Sequence, residues 1–129
     1  MAQQSPGNRL RRLPYLYAAG AVFWLIELTQ FAAILAAPAG RQQLEQALAG
    51  AGFGGNASAL LAIESALIIF FEVTAAGLHA AAFYGLRRYR AWGWVSAVVV
   101  AGAWSLVLVG IPVFVFLLRR QTREAYGVP

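Results

Sequence analysis

The sequence predicts an all-α protein, an integral membrane bundle of three transmembrane helices. Two observations carry that prediction. Hydrophobic residues make up 60% of the 129 and charged residues only 12%, with a mean hydropathy of +0.64; soluble domains average about 45–50% apolar and about 25% charged. The apolar residues are also gathered into runs as long as the roughly 20 residues a helix needs to cross about 30 Å of hydrocarbon. In lipid a helix satisfies its backbone N–H and C=O groups within itself, which an open strand cannot do.

The chain begins with a basic tail, residues 1–13, and Pro14 follows where a first helical turn accepts proline. The first span is expected over 15–37. A signal peptide also opens with a basic flank, and Ala36-Ala37-Pro38-Ala39 offers small residues for cleavage. The run exceeds a typical signal core of about 7–15 residues and contains Glu27 and Gln30, so a retained helix is expected. Residues 38–57 form the connecting loop. Leu44, Ala47 and Leu48 would share one side of a short helix there, so an interfacial amphipathic turn stands beside a plain solvated connector, and glycines 50, 52, 54 and 55 end it. Asn56-Ala57-Ser58 matches a glycosylation sequon, but lies against the membrane.

The second span is expected over 58–84, closed by the basic turn Gly85-Leu86-Arg87-Arg88-Tyr89-Arg90. The third covers 92–118. At 1.5 Å per residue such a helix would be about 40 Å long, so it must tilt or bend, and Gly110-Ile111-Pro112 is where a bend falls. A second basic tail, 119–129, follows.

With the N-terminus inside, Arg9, Arg11, Arg12, Arg87, Arg88 and Arg90 lie on the inner side, and Arg41, Arg119, Arg120 and Arg123 on the outer. The last three conflict with the positive-inside bias. Either the tail is outside despite them, or the third span does not complete its crossing, or the protein inserts both ways. Tyr15, Tyr17, Tyr84, Tyr89, Trp92 and Trp94 fall near the expected interfaces, as an aromatic belt would.

Three of the five glutamates and the only histidine fall inside the spans. An ionisable side chain at a helix centre costs about 2.5–3.5 kcal/mol on insertion scales, so such residues face a bundle interior or a wet cavity and mark a candidate site. Ser58, Ser65, Glu72 and His79 recur every seven residues and share one stripe of the second span, with Glu64 to one side. Glu27 lies mid-way along the first span, on a face with Gly20, Trp24, Gln30 and Phe31. If these helices pack antiparallel, Glu27 and Glu72 meet at similar depth. One reading is a midplane proton or cation site of Glu27 and Glu72, relayed by His79 and Glu64. The other is that each glutamate shares an interhelical hydrogen bond, worth on average about 0.6 kcal/mol, and His79 is a packing residue or a haem or metal ligand.

Cysteine is absent, which removes disulfides, thiolate metal sites and cysteine nucleophiles. The spacing of Glu72 and His79 does not fit a carboxylate di-iron bundle, and no catalytic triad or phosphate-cradling glycine loop is present. No enzymatic activity, cofactor or metal is therefore expected, and the arginine clusters flank apolar runs as lipid-facing charges rather than as a nucleic-acid surface. Small residues repeat every fourth position at Gly77, Ala81 and Gly85 and at Gly93, Ala97, Ala101 and Ser105, which lets helices approach closely. Three helices poorly hide two polar faces from lipid, so the expected partners are the bilayer and either further copies of the chain or a larger membrane complex. A subunit of that kind is the expected function, with a proton- or cation-coupled transporter or channel as the alternative.

The C-terminal half, AFYGLRRYRAWGWVSAVVV and then FLLRRQTREAYG, resembles the closing half of small uncharacterised bacterial inner-membrane proteins. That resemblance covers about forty residues and implies a bacterial inner-membrane location without implying an activity. Such proteins have four spans, one more than expected here. PYLYAAGAVFWLIE, ending at Glu27, is similar to the first helix of small multidrug resistance transporters, which carries an essential glutamate. The later spans, with Glu64, Glu72 and His79, depart from that family's pattern.

Overall fold

A computed structural model describes residues 6–106 and 110–128, without the side chains of Pro6, Gly7 and Arg9. Every regular element among them is helical: α1 (Pro6–Ala36), α2 (Pro38–Leu48), α3 (Ala57–Arg87), α4 (Ala91–Ser105), α5 (Ile111–Leu118) and α6 (Arg120–Ala125). Two helices, α1 and α3, are long and apolar enough to cross a membrane. Each has 31 residues and is about 46 Å long at 1.5 Å per residue. Parts of both expected tails are helical, while residues 1–5 and 129 lie outside the described residues.

The connector expected as a loop over 38–57 is mostly helix. Pro38 occupies the first turn of α2, where its missing N–H costs nothing, and Ala37 is extended ahead of it. After α2 the chain tightens through a π turn (Ala49–Phe53) and a 3-10 turn (Gly54–Asn56). The break comes at Gly52, whose φ of 98° only glycine adopts freely.

The chain divides into two compact units, Met1–Val22 with Ala75–Pro129, and Phe23–Thr74. In the first, the core is built by Leu13, Tyr17, Ala82, Leu86, Ala97, Val100, Ala101, Leu117 and Tyr126. Here α1 and α3 run antiparallel, with Tyr15 on Phe83 and Gly20 against the His79 ring. Gly85 and Gly93 meet backbone to backbone where α3 and α4 cross. The small-residue stripe of α4 is used as the sequence suggests, since Gly93, Ala97 and Ala101 are all buried. Gly77 is exposed and a Cβ added there would meet nothing within 4 Å, so that part of the α3 stripe is not used among the described residues.

The single third helix expected over 92–118 is two helices that double back. α4 ends at Ser105, residues 107–109 lie outside the described residues, and α5 returns along α4. The Gly110 N–H donates to Trp104 O at 3.1 Å, Gly102 faces Phe114, and Trp94 Nε1–H donates to Leu117 O at 3.0 Å. A Cβ on Gly110 would run into the backbone of Ala101, so only glycine permits the return at this spacing. Pro112 then sits in the first turn of α5, where it is harmless. With 15 residues, α4 is about 23 Å long, short of the hydrocarbon thickness of about 30 Å.

Two helix ends carry the same capping geometry. After α6, Gly127 has φ 69°, its N–H donates to Glu124 O at 3.1 Å and that of Val128 to Arg123 O at 3.0 Å. After α3, Tyr89 has φ 52°, its N–H donates to Leu86 O at 3.1 Å and that of Arg90 to Gly85 O at 2.9 Å. This is the Schellman pattern, in which the left-handed position belongs to glycine by preference. Tyr89 occupies it against that preference, at a cost of about 1–3 kcal/mol. Its ring stacks on Tyr126, centroids 5.5 Å apart and 23° between planes, and that contact recovers part of the cost.

Candidate functional site

Ser65, Glu72 and His79 lie on one buried stripe of α3, each less than a tenth exposed. Ser58, the fourth member of the expected stripe, is exposed, as is Glu64, while Glu27 is half-buried. Of the four expected site residues, His79 belongs to the first unit, and Glu27, Glu64 and Glu72 to the second.

His79 sits in a closed polar network. Its Nε2 receives the Trp104 Nε1–H at 3.0 Å, and Nδ1 lies 2.7 Å from Ala75 O. An indole N–H only donates and a carbonyl only accepts, so Nε2 holds the lone pair and Nδ1 the proton. The imidazole is thereby neutral with both nitrogens occupied, and binding a metal or passing a proton would require it to release Trp104. Gly20 packs on the ring so closely that a Cβ there would run into it. One turn of α1 before, Tyr17 is buried and its hydroxyl donates to Ala97 O at 2.9 Å. Tyr17 is thus an interior hydrogen-bonding residue rather than part of an aromatic belt; Tyr15, Tyr84, Tyr89 and Trp92 are exposed. Trp104→Phe would leave the Nε2 lone pair buried without its donor. It is expected to cost about 1–3 kcal/mol in thermal unfolding of the purified protein.

In the second unit Glu72 Oε2 and Ser65 Oγ are buried without a hydrogen-bond partner. Among the described residues, no hydrogen bond or ion pair joins Glu27 to Glu72. Glu64 and Ser65 line a cavity of about 210 Å³ whose walls include Phe31, Leu44, Leu48 and Leu61. The amphipathic face of α2 therefore packs over it. No group of histidine and acidic side chains capable of holding a metal occurs among the described residues.

Charge is divided sharply between the two units. Nine of the ten arginines and only one glutamate, Glu124, fall in the first; the second holds Arg41 and the other four glutamates. Because α5 returns along α4, the arginines after it belong with those before it. Tyr126 closes this basic region, 2% exposed, its hydroxyl without a partner. Burial, and secondarily the neighbouring Tyr89 phenol, push the Tyr126 hydroxyl up to about 12 from 10.0. The folded state then holds its proton more tightly than the unfolded one, so this contribution is complete below pH 10 and lost as pH rises toward 12. Alkaline titration followed by phenolate absorbance should show a late-titrating contribution that Tyr126→Phe removes, and it should appear together with loss of the tail.

Trp104 and Tyr17 were not legible as partners of this network. Trp104 lies 25 residues from His79 and Tyr17 lies 80 residues from Ala97. A single buried histidine with three indoles on a neighbouring apolar helix is the only signal. Comparison with family models, with curated proteins and with solved structures finds no match for this chain.

Proposed function

We propose that the chain is a small, non-enzymatic integral membrane protein that acts as a subunit of a larger assembly, formed with further copies or with another membrane protein. The apolar outward surface of its long helices carries this reading. Phe70 is 71% exposed, Leu67 64%, Ile63 59%, Val22 55% and Leu16 54%, and soluble monomers do not present so many large apolar side chains along two helices. Lipid or a partner helix is the environment in which such surfaces are stable.

In this reading α1 and α3 cross the bilayer and the α4–α5 hairpin enters and leaves by the same face. That arrangement replaces the third crossing and removes the arginine conflict, because Arg119, Arg120 and Arg123 then share the inner side with Arg87, Arg88 and Arg90. A bacterial inner membrane fits the positive-inside orientation. Reporter fusions test it: both termini should face the cytoplasm and the connector the opposite side. A C-terminus on the far side would restore three crossings.

The second reading, a proton or cation path through Glu72 and Glu27, is favoured by the bare Oε2 of Glu72. Proton uptake by sealed proteoliposomes under an imposed potential separates the two. In the subunit reading wild type and Glu72→Gln both match empty liposomes. Flux in wild type that Glu72→Gln abolishes would establish the path instead.

A further inference from the structure

We propose that the cavity between the basic ends of α1 and α3 is a binding site for a phosphate-bearing anion, which a bilayer would supply as the headgroup of an anionic phospholipid. The source of the ligand rests on the membrane reading; the anion chemistry does not. The cavity holds about 230 Å³ and is lined by Arg11 from α1 and Arg87 from α3, with Tyr15, Tyr89, Leu10 and Leu86 around them. Cofactor-sized pockets are larger, about 300–1,000 Å³, so this one suits a headgroup.

Three observations point to an anion. Two arginines from different helices line one cavity, and a guanidinium fork matches phosphate oxygens with two parallel hydrogen bonds. Neither has an acidic partner among the described residues. The only glutamate in this unit, Glu124, is already held by Arg120 at 2.7 Å. Both side chains are exposed, so an anion from outside can reach them. Finally, the wall is built rather than incidental: Tyr89 is fixed in a left-handed conformation that bulky residues rarely adopt, and Tyr126 backs it. Apolar Leu10 and Leu86 beside exposed Tyr15 and Tyr89 give the amphipathic setting that suits the join between a headgroup and its chains.

The test uses the full chain in a neutral detergent, with displacement of a fluorescent phosphatidylglycerol as the readout. Competitors are short-chain phosphatidylglycerol, short-chain phosphatidylcholine and inorganic phosphate. Phosphatidylglycerol should bind saturably, one per chain. Arg11→Gln and Arg87→Gln should each weaken it about fivefold and together about 25-fold if additive. Arg120→Gln, which removes an already paired charge, should leave it unchanged. Arg11→Lys and Arg87→Lys keep the charge and guard against misfolding; with helical content intact they should bind between wild type and the Gln variants. Inorganic phosphate that competes as tightly as the lipid would identify a free phosphate as the source. Equal binding by the double Gln variant, or equal competition by phosphatidylcholine, overturns the site. If the chain instead stays monodisperse in water without detergent, the membrane reading fails, and direct phosphate binding to wild type and the double variant still decides the site.

Discussion

Gly93→Ala is expected to destabilise the protein by about 3 kcal/mol or more, the upper range for overpacking. Its new Cβ would run into the Gly85 backbone, and main chain cannot rotate aside as a side chain can. Gly85→Ala meets the reciprocal clash with Gly93. In both, relief from glycine's poor helix propensity, about 0.8–1.0 kcal/mol, works in the opposite direction. The clash is larger, so the net effect is a loss. Gly77→Ala on the same helix is the control, because nothing lies within 4 Å of its would-be Cβ. There the propensity gain should appear as a small stabilisation. Thermal unfolding of the three variants in detergent checks both signs. A drop in oligomer mass with Gly77→Ala would instead show that a second copy packs at that position.

Tyr126→Ala is expected to cost about 3–5 kcal/mol, the range for removing a buried aromatic side chain. The ring is 2% exposed and is the contact that backs Tyr89 in its strained position. Its hydroxyl has no partner, so Tyr126→Phe should be neutral or slightly stabilising. The pair separates ring from hydroxyl. Limited proteolysis of the tail should rise with Tyr126→Ala and not with Tyr126→Phe. Equal protection in wild type and Tyr126→Ala would show that the tail is held by other contacts.

The long helices were legible because a membrane-length apolar run has one backbone solution, and α1 and α3 follow from 15–37 and 58–84 with extra turns at their ends. Gly110 and Pro112 marked the disturbance in the third run but not its size. A proline kink and a full return look alike in sequence; Trp94 bonding to Leu117 distinguishes them, and that is a tertiary contact. The connector shows the same limit. Leu44 and Leu48 have helical spacing, yet only their cover over Leu61 and Ser65 makes the helix worth forming. The Ser65, Glu72 and His79 stripe was legible from its seven-residue repeat, because burial of one helix face follows periodicity. Its chemistry was not: His79 is bonded at both nitrogens while Glu72 keeps an unbonded oxygen, and spacing on one helix cannot report what faces it. The pairing of Arg11 with Arg87 was hidden for the same reason.

The doubling back of α4 and α5 also bears on the electrical work of biogenesis. In the proposed topology the hairpin and every arginine beyond it stay on the synthesis side, and only the connector is carried across. Residues 38–56 contain one arginine, Arg41, and one glutamate, Glu45. A unit charge moved through 100 mV costs or releases about 2.3 kcal/mol; this segment carries no net charge. Transfer of the connector is neither driven nor opposed by the membrane potential, so any dependence of insertion on that potential falls to the glutamates within the spans, Glu27, Glu64 and Glu72.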